Sequence, residues 1–431
     1  MQTASKKIVN GWAMYDWANS VYNLVITSTI FPAYYESVTK QNGDDTVVFL
    51  GRTFVNTALY NYAIAFAIFV VAILIPILSS IADYKGNKKS FMRFFCTMGS
   101  IACCSMYFFT GKMTMGIGIS CVIIACIGFW SSLVFYNSYL PEIAAEKDQD
   151  MVSAKGFTMG YIGSVLLQVI CLVLVFTMKD AGFAARLSFV LTGLWWIGWA
   201  QIPFSVLPKG APAAHRPDKN IFANGFIELK KVFALVKQMP VLKRFLGAFF
   251  FYNMGVQTVM LAAALFGAKE LNMPSDKLII TILIIQLVAI AGAYIMAKLA
   301  AKFGNLQVLA LTVIIWILIC IAAYFTQTTI QFYLIGAAVG LVMGGIQSLS
   351  RSTYSKLMPP TKDTASFFSF YDVSEKIAIV IGMFTFGLLE ELTGSMRNSV
   401  LAIMVFFIIG FFLLLSTISA QKKMPAIITE S

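Results

Sequence analysis

Residues 14–35 read MYDWANSVYNLVITSTIFPAYY. The stretch is long and apolar enough for a helix to cross about 30 Å of hydrocarbon, yet an aspartate sits near its start. Asp16, Asn19, Ser20, Asn23 and Thr27 fall at i, i+3, i+4, i+7 and i+11, which places them along one side of a helix. Leu24, Val25, Ile26 and Ile30 populate the other directions. Lipid does not accept such a polar stripe, so that side must face other helices or a water-filled cavity.

Reading outward, the chain has 431 residues, 59% hydrophobic and 12% charged, with a mean hydropathy of +0.79. A soluble protein of this length could not cover that much apolar surface. Apolar runs lie near 12–35, 57–81, 91–110, 114–136, 157–178 and 186–207, then near 245–267, 278–300, 306–326, 329–349, 367–389 and 398–419. Each is about the length of one membrane-crossing helix. Period-two alternation is absent, so these are helices rather than barrel strands. The fold class is all-α integral membrane, with twelve transmembrane helices.

The net charge of +12 is concentrated at Lys6 and Lys7, in the loop Lys85–Lys89 and in the connection Lys209–Arg244. That placement follows the positive-inside rule, sets both termini in the cytoplasm and argues against a nucleic-acid face. The seven cysteines all fall in apolar runs, and the sole histidine, His215, is in a loop. They form neither a metal site nor a disulfide framework. The first apolar run is too long and too polar for a cleavable signal. No phosphate-binding loop, catalytic triad or metal cluster is present, so no cofactor, ATP-driven pumping or enzymatic activity is expected.

The longest hydrophilic connection follows the sixth run and divides the chain into 1–206, a linker 207–240, and 241–431. Within the linker, Asn220 to Lys237 has apolar residues at helical spacing with lysines between them; an amphipathic surface helix and a solvated linker both fit. The two halves resemble an internal repeat. Run starts at 57, 91, 114, 157 and 186 recur at 278, 306, 329, 367 and 398, and SSIADYKGNKKS aligns with AKLAAKFGNLQV. Placing Gly86 on Gly304 puts Asp83 on Ala301. Repeats of this kind with a site between them are a transporter plan.

SSIADYKGNKK also resembles the loop signature of the major facilitator superfamily, matching at Asp83, Gly86 and Lys88, with Ser79 and Tyr84 replacing the first glycine and arginine. The resemblance implies two pseudo-symmetric six-helix bundles and a conformational latch at Asp83. YDWANSVYN, FYNSYLPEI, VSAKGFTMGYIGS, FFFYNMGVQT and IQSLSRSTYSKLMP together are similar to the vacuole-effluxer-like family of that superfamily. This family includes the autophagy-related vacuolar amino-acid effluxers of fungi and many bacterial members, which the compact loops resemble more. Its seventh span usually reads Tyr-Asn-Asp-Gly, where this chain has Tyr252-Asn253-Met254-Gly255.

In that plan the first and seventh spans line the central cavity, which brings Asp16, Asn19, Ser20 and Asn23 toward Asn253 and Gln257. Asp16 could carry a coupling proton, bind a substrate amino group, or pair with Lys6 or Lys7 at the interface. FFSFYDVSEKIAIVIG in the eleventh run holds a second constellation, Asp372, Glu375 and Lys376, with Asp372 and Lys376 at i, i+4. Glu375 is the better proton carrier of the two acids. Arg351, with Gln347 a turn before it, completes the buried charges; make-and-break pairs among them could register two access states, or form a fixed network. Gly336, Gly340 and Gly344, like Gly156, Gly160 and Gly163, read as close-packing positions more than as a sliding seam.

The expected function is secondary active transport of a small polar solute. The resemblance implies amino acids or related compounds, proton-coupled efflux, and a bacterial inner membrane. A lipid transporter or scramblase, and a membrane scaffold docking partners on Asn220–Lys237, are the rivals. The partners implied are the solute, membrane lipids and protons.

Overall fold

The structure, a computed structural model, describes residues 2–40, 44–210 and 221–423; His215 and Asn220 lie outside them. The first span is composite. Helix α1 (Lys6–Val21) runs into a π-helical segment (Tyr22–Ile30) and then α2 (Phe31–Thr39). Pro32, in the first turn of α2, has no N–H to offer the preceding turn, and its ring crowds the carbonyl four residues back. Ser28 and Thr29 donate their hydroxyls to the carbonyls of Asn23 and Leu24, five residues back. The wider winding moves Thr27 out of the stripe expected from a continuous α-helix.

The remaining helices are α3 (Asn56–Lys85), α4 (Lys88–Ser105), α5 (Met115–Asn137), the short α6 (Leu140–Ile143), α7 (Gln149–Thr177), α8 (Ala181–Val206) and α9 (Ile221–Gln238). They are followed by α10 (Pro240–Glu270), α11 (Ser275–Phe303), α12 (Asn305–Phe325), α13 (Thr329–Leu357), α14 (Thr364–Thr393) and α15 (Met396–Lys423). Local chemistry sets their ends. Gly86 and Gly394 adopt φ of 63° and 66° and stop α3 and α14. Asp180 caps α8 through the Phe183 N–H, and Thr328 with Gln331 forms a capping box at α13.

Ten helices among the described residues are long and apolar enough to cross a membrane. The first span and α14 complete the set of twelve. One falls outside that measure because the π segment interrupts it, the other because it carries Asp372, Glu375, Lys376, Glu390 and Glu391. Both pack among the rest. In the first half α1 lies on α7 and α8, α4 on α5 and α8, and α3 on α5; in the second, α11 lies on α13, and α15 on α10 and α12. The two six-segment bundles meet along two seams, α7 against α11 and α13, and α14 against α3 and α5. Exchange of the halves turns one seam into the other, as the repeat requires. This is the major facilitator fold.

A hairpin adds to the sequence reading, and the linker segment takes the helical form of the two that the reading allows. Thr46–Phe49 (β1) and Arg52–Val55 (β2) form an antiparallel hairpin, turned at Leu50 and Gly51 with φ of 48° and 75°. Lys112 donates to Asp44 at 2.8 Å beside it and, with Thr46, holds that carboxyl well below the usual range. The linker segment is a helix, α9, packed against α3, α10 and α14 with Val232 and Val236 buried, so it touches both bundles. The hairpin marks one end of the molecule; α9 and the turns after α3 and α5 mark the other, the linker end.

Candidate functional site

A cavity of about 1100 Å³, its solvent-connected part included, lies between the bundles. Its wall contains Asp16, Asn19, Ser20 and Asn23 from the first span, Asn253 and Gln257 from α10, Arg351 from α13 and Glu375 from α14. The stripe in residues 14–35 therefore faces this cavity as far as Asn23.

Asp16 pairs with Arg351, not with Lys6 or Lys7. Arg351 Nη1 stands 3.4 Å from Asp16 Oδ2, and the Tyr136 hydroxyl donates to the same oxygen at 2.7 Å. Arg351 also donates from Nε to Ser153 Oγ at 2.9 Å, from Nη2 to the Ser153 carbonyl at 2.8 Å and from Nη1 to Asn137 at 3.0 Å. Its guanidinium lies 4.3 Å from the Phe157 ring centre. The cation thus belongs to one bundle, and its acceptors and stacking ring belong to the other. Gly156 makes room for the cluster: a Cβ there would stand 2.5 Å from Asp16 Oδ2 and 2.8 Å from the Tyr136 hydroxyl.

The α14 constellation holds together as its spacing predicts. Lys376 Nζ is 2.9 Å from Asp372 Oδ1 and 3.4 Å from Glu375 Oε2, and lies 3.5 Å from the centre of the Trp130 ring in α5. Gln257 donates to Glu375 at 3.2 Å and approaches Asn253 at 3.4 Å. Glu375 lines the cavity, whereas Asp372 and Lys376 sit behind its wall.

Asp83, Gly86 and Lys88 lie apart from the cavity, at the linker end. Asp83 reaches across the seam and accepts from the N–H of Ala365 at 3.2 Å, and from the N–H and hydroxyl of Ser366 at 2.8 and 2.9 Å. A carboxylate on the exposed N–H groups of a helix start is favoured by both hydrogen bonding and the helix dipole. Lys88 Nζ is 3.9 Å from Asp83, pairs with Glu142 and donates to Thr364 at 2.6 Å. On the other seam Lys356 donates to Asp150 at 2.6 Å, and Asn305 donates to Asp150 at 2.6 Å and Thr353 at 3.1 Å. Among the described residues, every side-chain hydrogen bond or ion pair between the bundles lies at the linker end or at the level of the cavity. The molecule is shut on that side.

Sequence reasoning did not single out Tyr136, Asn137, Ser153, Trp130 or Asp150 individually. Tyr136 and Asn137 lie in FYNSYLPEI, and Ser153 in VSAKGFTMGYIGS, so the motif strings pointed to their neighbourhoods. Apart from Gly156, the singled-out glycines serve packing within a bundle. Gly160 and Gly163 seat α7 on Ser20 and Trp17, and Gly340 and Gly344 seat α13 on the backbone of Ile285 and Ala289 in α11.

A family described as "Vacuole effluxer Atg22 like" has a sequence model that matches residues 4–426. The chain is 33% identical over 413 residues to an uncharacterized MFS-type transporter, YxiO, of Bacillus subtilis, covering 94% of this chain and 93% of that one. It is 24% identical to autophagy-related protein 22 of Saccharomyces cerevisiae, covering 91% and 88%. Its fold is similar to that of the human organic anion transporter MFSD10, with a TM-score of 0.74 at 12% identity over 95% of this chain and 99% of the other. It is also similar to a bacterial homologue of the iron transporter ferroportin in an outward-facing state, with a TM-score of 0.70 at 12% identity over 96% and 98%.

Proposed function

The chain belongs to the vacuole effluxer Atg22-like family, and as such a major-facilitator-type transporter, not an enzyme, we propose that it moves amino acids or related small polar solutes outward in exchange for protons. The observation that carries this reading is the central cavity. It is walled by carboxylates, amides and a guanidinium drawn from both bundles, the polar groups that a small ampholytic solute requires. The resident membrane is the bacterial inner membrane, with the basic linker end and both termini in the cytoplasm.

The latch residues Asp83, Gly86, Lys88 and Arg351 hold the linker end closed in this state. Asp83 binds the start of α14, Gly86 supplies the left-handed turn that stops α3 beside it, and Lys88 binds Glu142 and Thr364. Arg351 ties α13 to α5 and α7. Opening toward the cytoplasm requires the contacts between bundles to part, those of Asp83 with α14, Lys88 with Thr364 and Arg351 with α5 and α7, while the Lys88–Glu142 pair and the intra-bundle glycine contacts stay intact. Flux then follows from rigid rocking of one bundle on the other.

Counterflow in proteoliposomes tests the reading, using labelled amino acids with and without an inward-acid gradient. Saturable flux that responds to the gradient is the expected result; no flux for any amino acid contradicts it. The lipid-scramblase rival requires a lateral opening, and the packing of α7 on α11 and of α14 on α3 favours a solute path instead. The scaffold rival requires a free apolar face on α9; Val232 and Val236 are buried against the bundles, whereas Ile227, Phe233 and Leu235 are exposed.

A further inference from the structure

We propose that Glu375 is the point at which a proton and the ammonium group of the solute replace one another, which makes the transport obligatory exchange; this rests on the transport reading above.

The charges around the cavity do not cancel. Asp16 and Arg351 compensate each other, and the remaining donors of Arg351 are engaged by Ser153 and Asn137. The α14 cluster has two carboxylates and one ammonium. Lys376 is closer to Asp372 than to Glu375, and it lies over the Trp130 ring. Other groups facing Glu375 do not neutralise it. Its own helix supplies Tyr371, α10 supplies Tyr252, Asn253 and Gln257, and α13 supplies the committed Arg351. From α5, Cys126 lies near Lys376. Among the described residues, α3, α9 and α15 place no cation within ion-pair distance of Glu375. One unit of negative charge is left in the α14 cluster, and Glu375 is the member that lines the cavity, where a proton or a cationic group can meet it.

Two buried amide donors face the same cavity. Asn19 is fully buried and Asn253 is 4% exposed, and the Nδ2 of each has no partner within the protein. Unpaired buried N–H groups are costly unless an acceptor arrives, and a solute carboxylate is such an acceptor. Glu375 and Asn253 on the wall of one bundle and Asn19 on the other offer a carboxylate and amide donors that match an ampholyte of the amino-acid type. When the ammonium group binds ionised Glu375, the displaced proton passes to water and no covalent bond in the solute changes. A single carboxylate holds one or the other, so proton and solute cross in opposite directions.

The test uses the purified full chain and reads the fluorescence of Trp130, taken as the difference between wild type and Trp130→Phe, through a pH titration. A one-proton step is expected in wild type, absent from Glu375→Gln, kept but displaced in Glu375→Asp, and kept in Asp16→Asn. The two Glu375 variants together separate loss of the carboxylate from loss of the fold. A step that persists in Glu375→Gln, or is lost in Asp16→Asn, overturns the assignment. A saturating mixture of the common amino acids should weaken proton binding about tenfold, within the usual range for coupled sites. Strengthened proton binding would mean co-transport and overturn exchange. A step with these properties in a protein that shows no counterflow would leave the Glu375 site standing and defeat the transport reading instead.

Discussion

At the scale of single residues, the opening stretch asked why a membrane helix carries an aspartate, and the answer is Arg351. Helical spacing identified the face on which Asp16, Asn19, Ser20 and Asn23 sit, because that information is local. It could not identify the partner, which lies 335 residues away in sequence. Removing the cation alone strands a buried carboxylate, so Arg351→Met should cost about 3–5 kcal/mol of stability. Asp16→Asn in the same chain should restore most of it, as read by thermal unfolding of the purified protein. If the double variant is no more stable than Arg351→Met, the pair is not the source of the loss. Gly156→Ala tests the same cluster sterically: the added methyl meets Asp16 Oδ2, the Tyr136 hydroxyl and Arg351 Nη2 at 2.5 to 3.0 Å. It should lower solute flux and unfolding temperature together.

At the scale of elements, apolar runs and turn residues were legible because backbone satisfaction in lipid leaves only helices. The two four-residue strands of the hairpin were too short to show a period, and the start of α7 at Gln149 was hidden because its first turns are polar. The π winding escaped because a 3.6-residue template assumes the helix it is looking for. Glycine positions separate packing from conformational freedom. Gly344→Ala would press a methyl into the Ala289–Ala293 backbone of α11 and should destabilise the protein. Gly116 in α5 is exposed and has nothing within 4 Å of its added Cβ, so Gly116→Ala should stabilise by about 0.5–1 kcal/mol. Equal unfolding temperatures for the two variants would contradict this account of the helix contacts.

At the scale of the whole molecule, the run offsets made the pseudo-symmetry readable, but the two closures at the linker end are chemically different. On one seam Asp83 binds the start of α14 with Lys88 and Glu142 beside it; on the other, Asp150 near the start of α7 takes Lys356 and Asn305. The sequence showed Asp83 aligned with Ala301, an absence on the second seam; only the structure shows what replaces it. Asp83→Asn weakens one closure by about 1 kcal/mol, the scale of a helix-start carboxylate, and should raise the open-to-closed ratio about fivefold. The measurement that tests alternating access most directly is a pair of spin-label distances. One spans the linker end at Lys85 and Lys302, the other the hairpin end at Lys179 and Lys277, all exposed, in a chain with its seven cysteines replaced. The account predicts two populations at each end, with the linker-end distance lengthening as the hairpin-end distance shortens, and a shift between them on adding amino acids. A single distance at both ends, unmoved by solute or by Asp83→Asn, would contradict it.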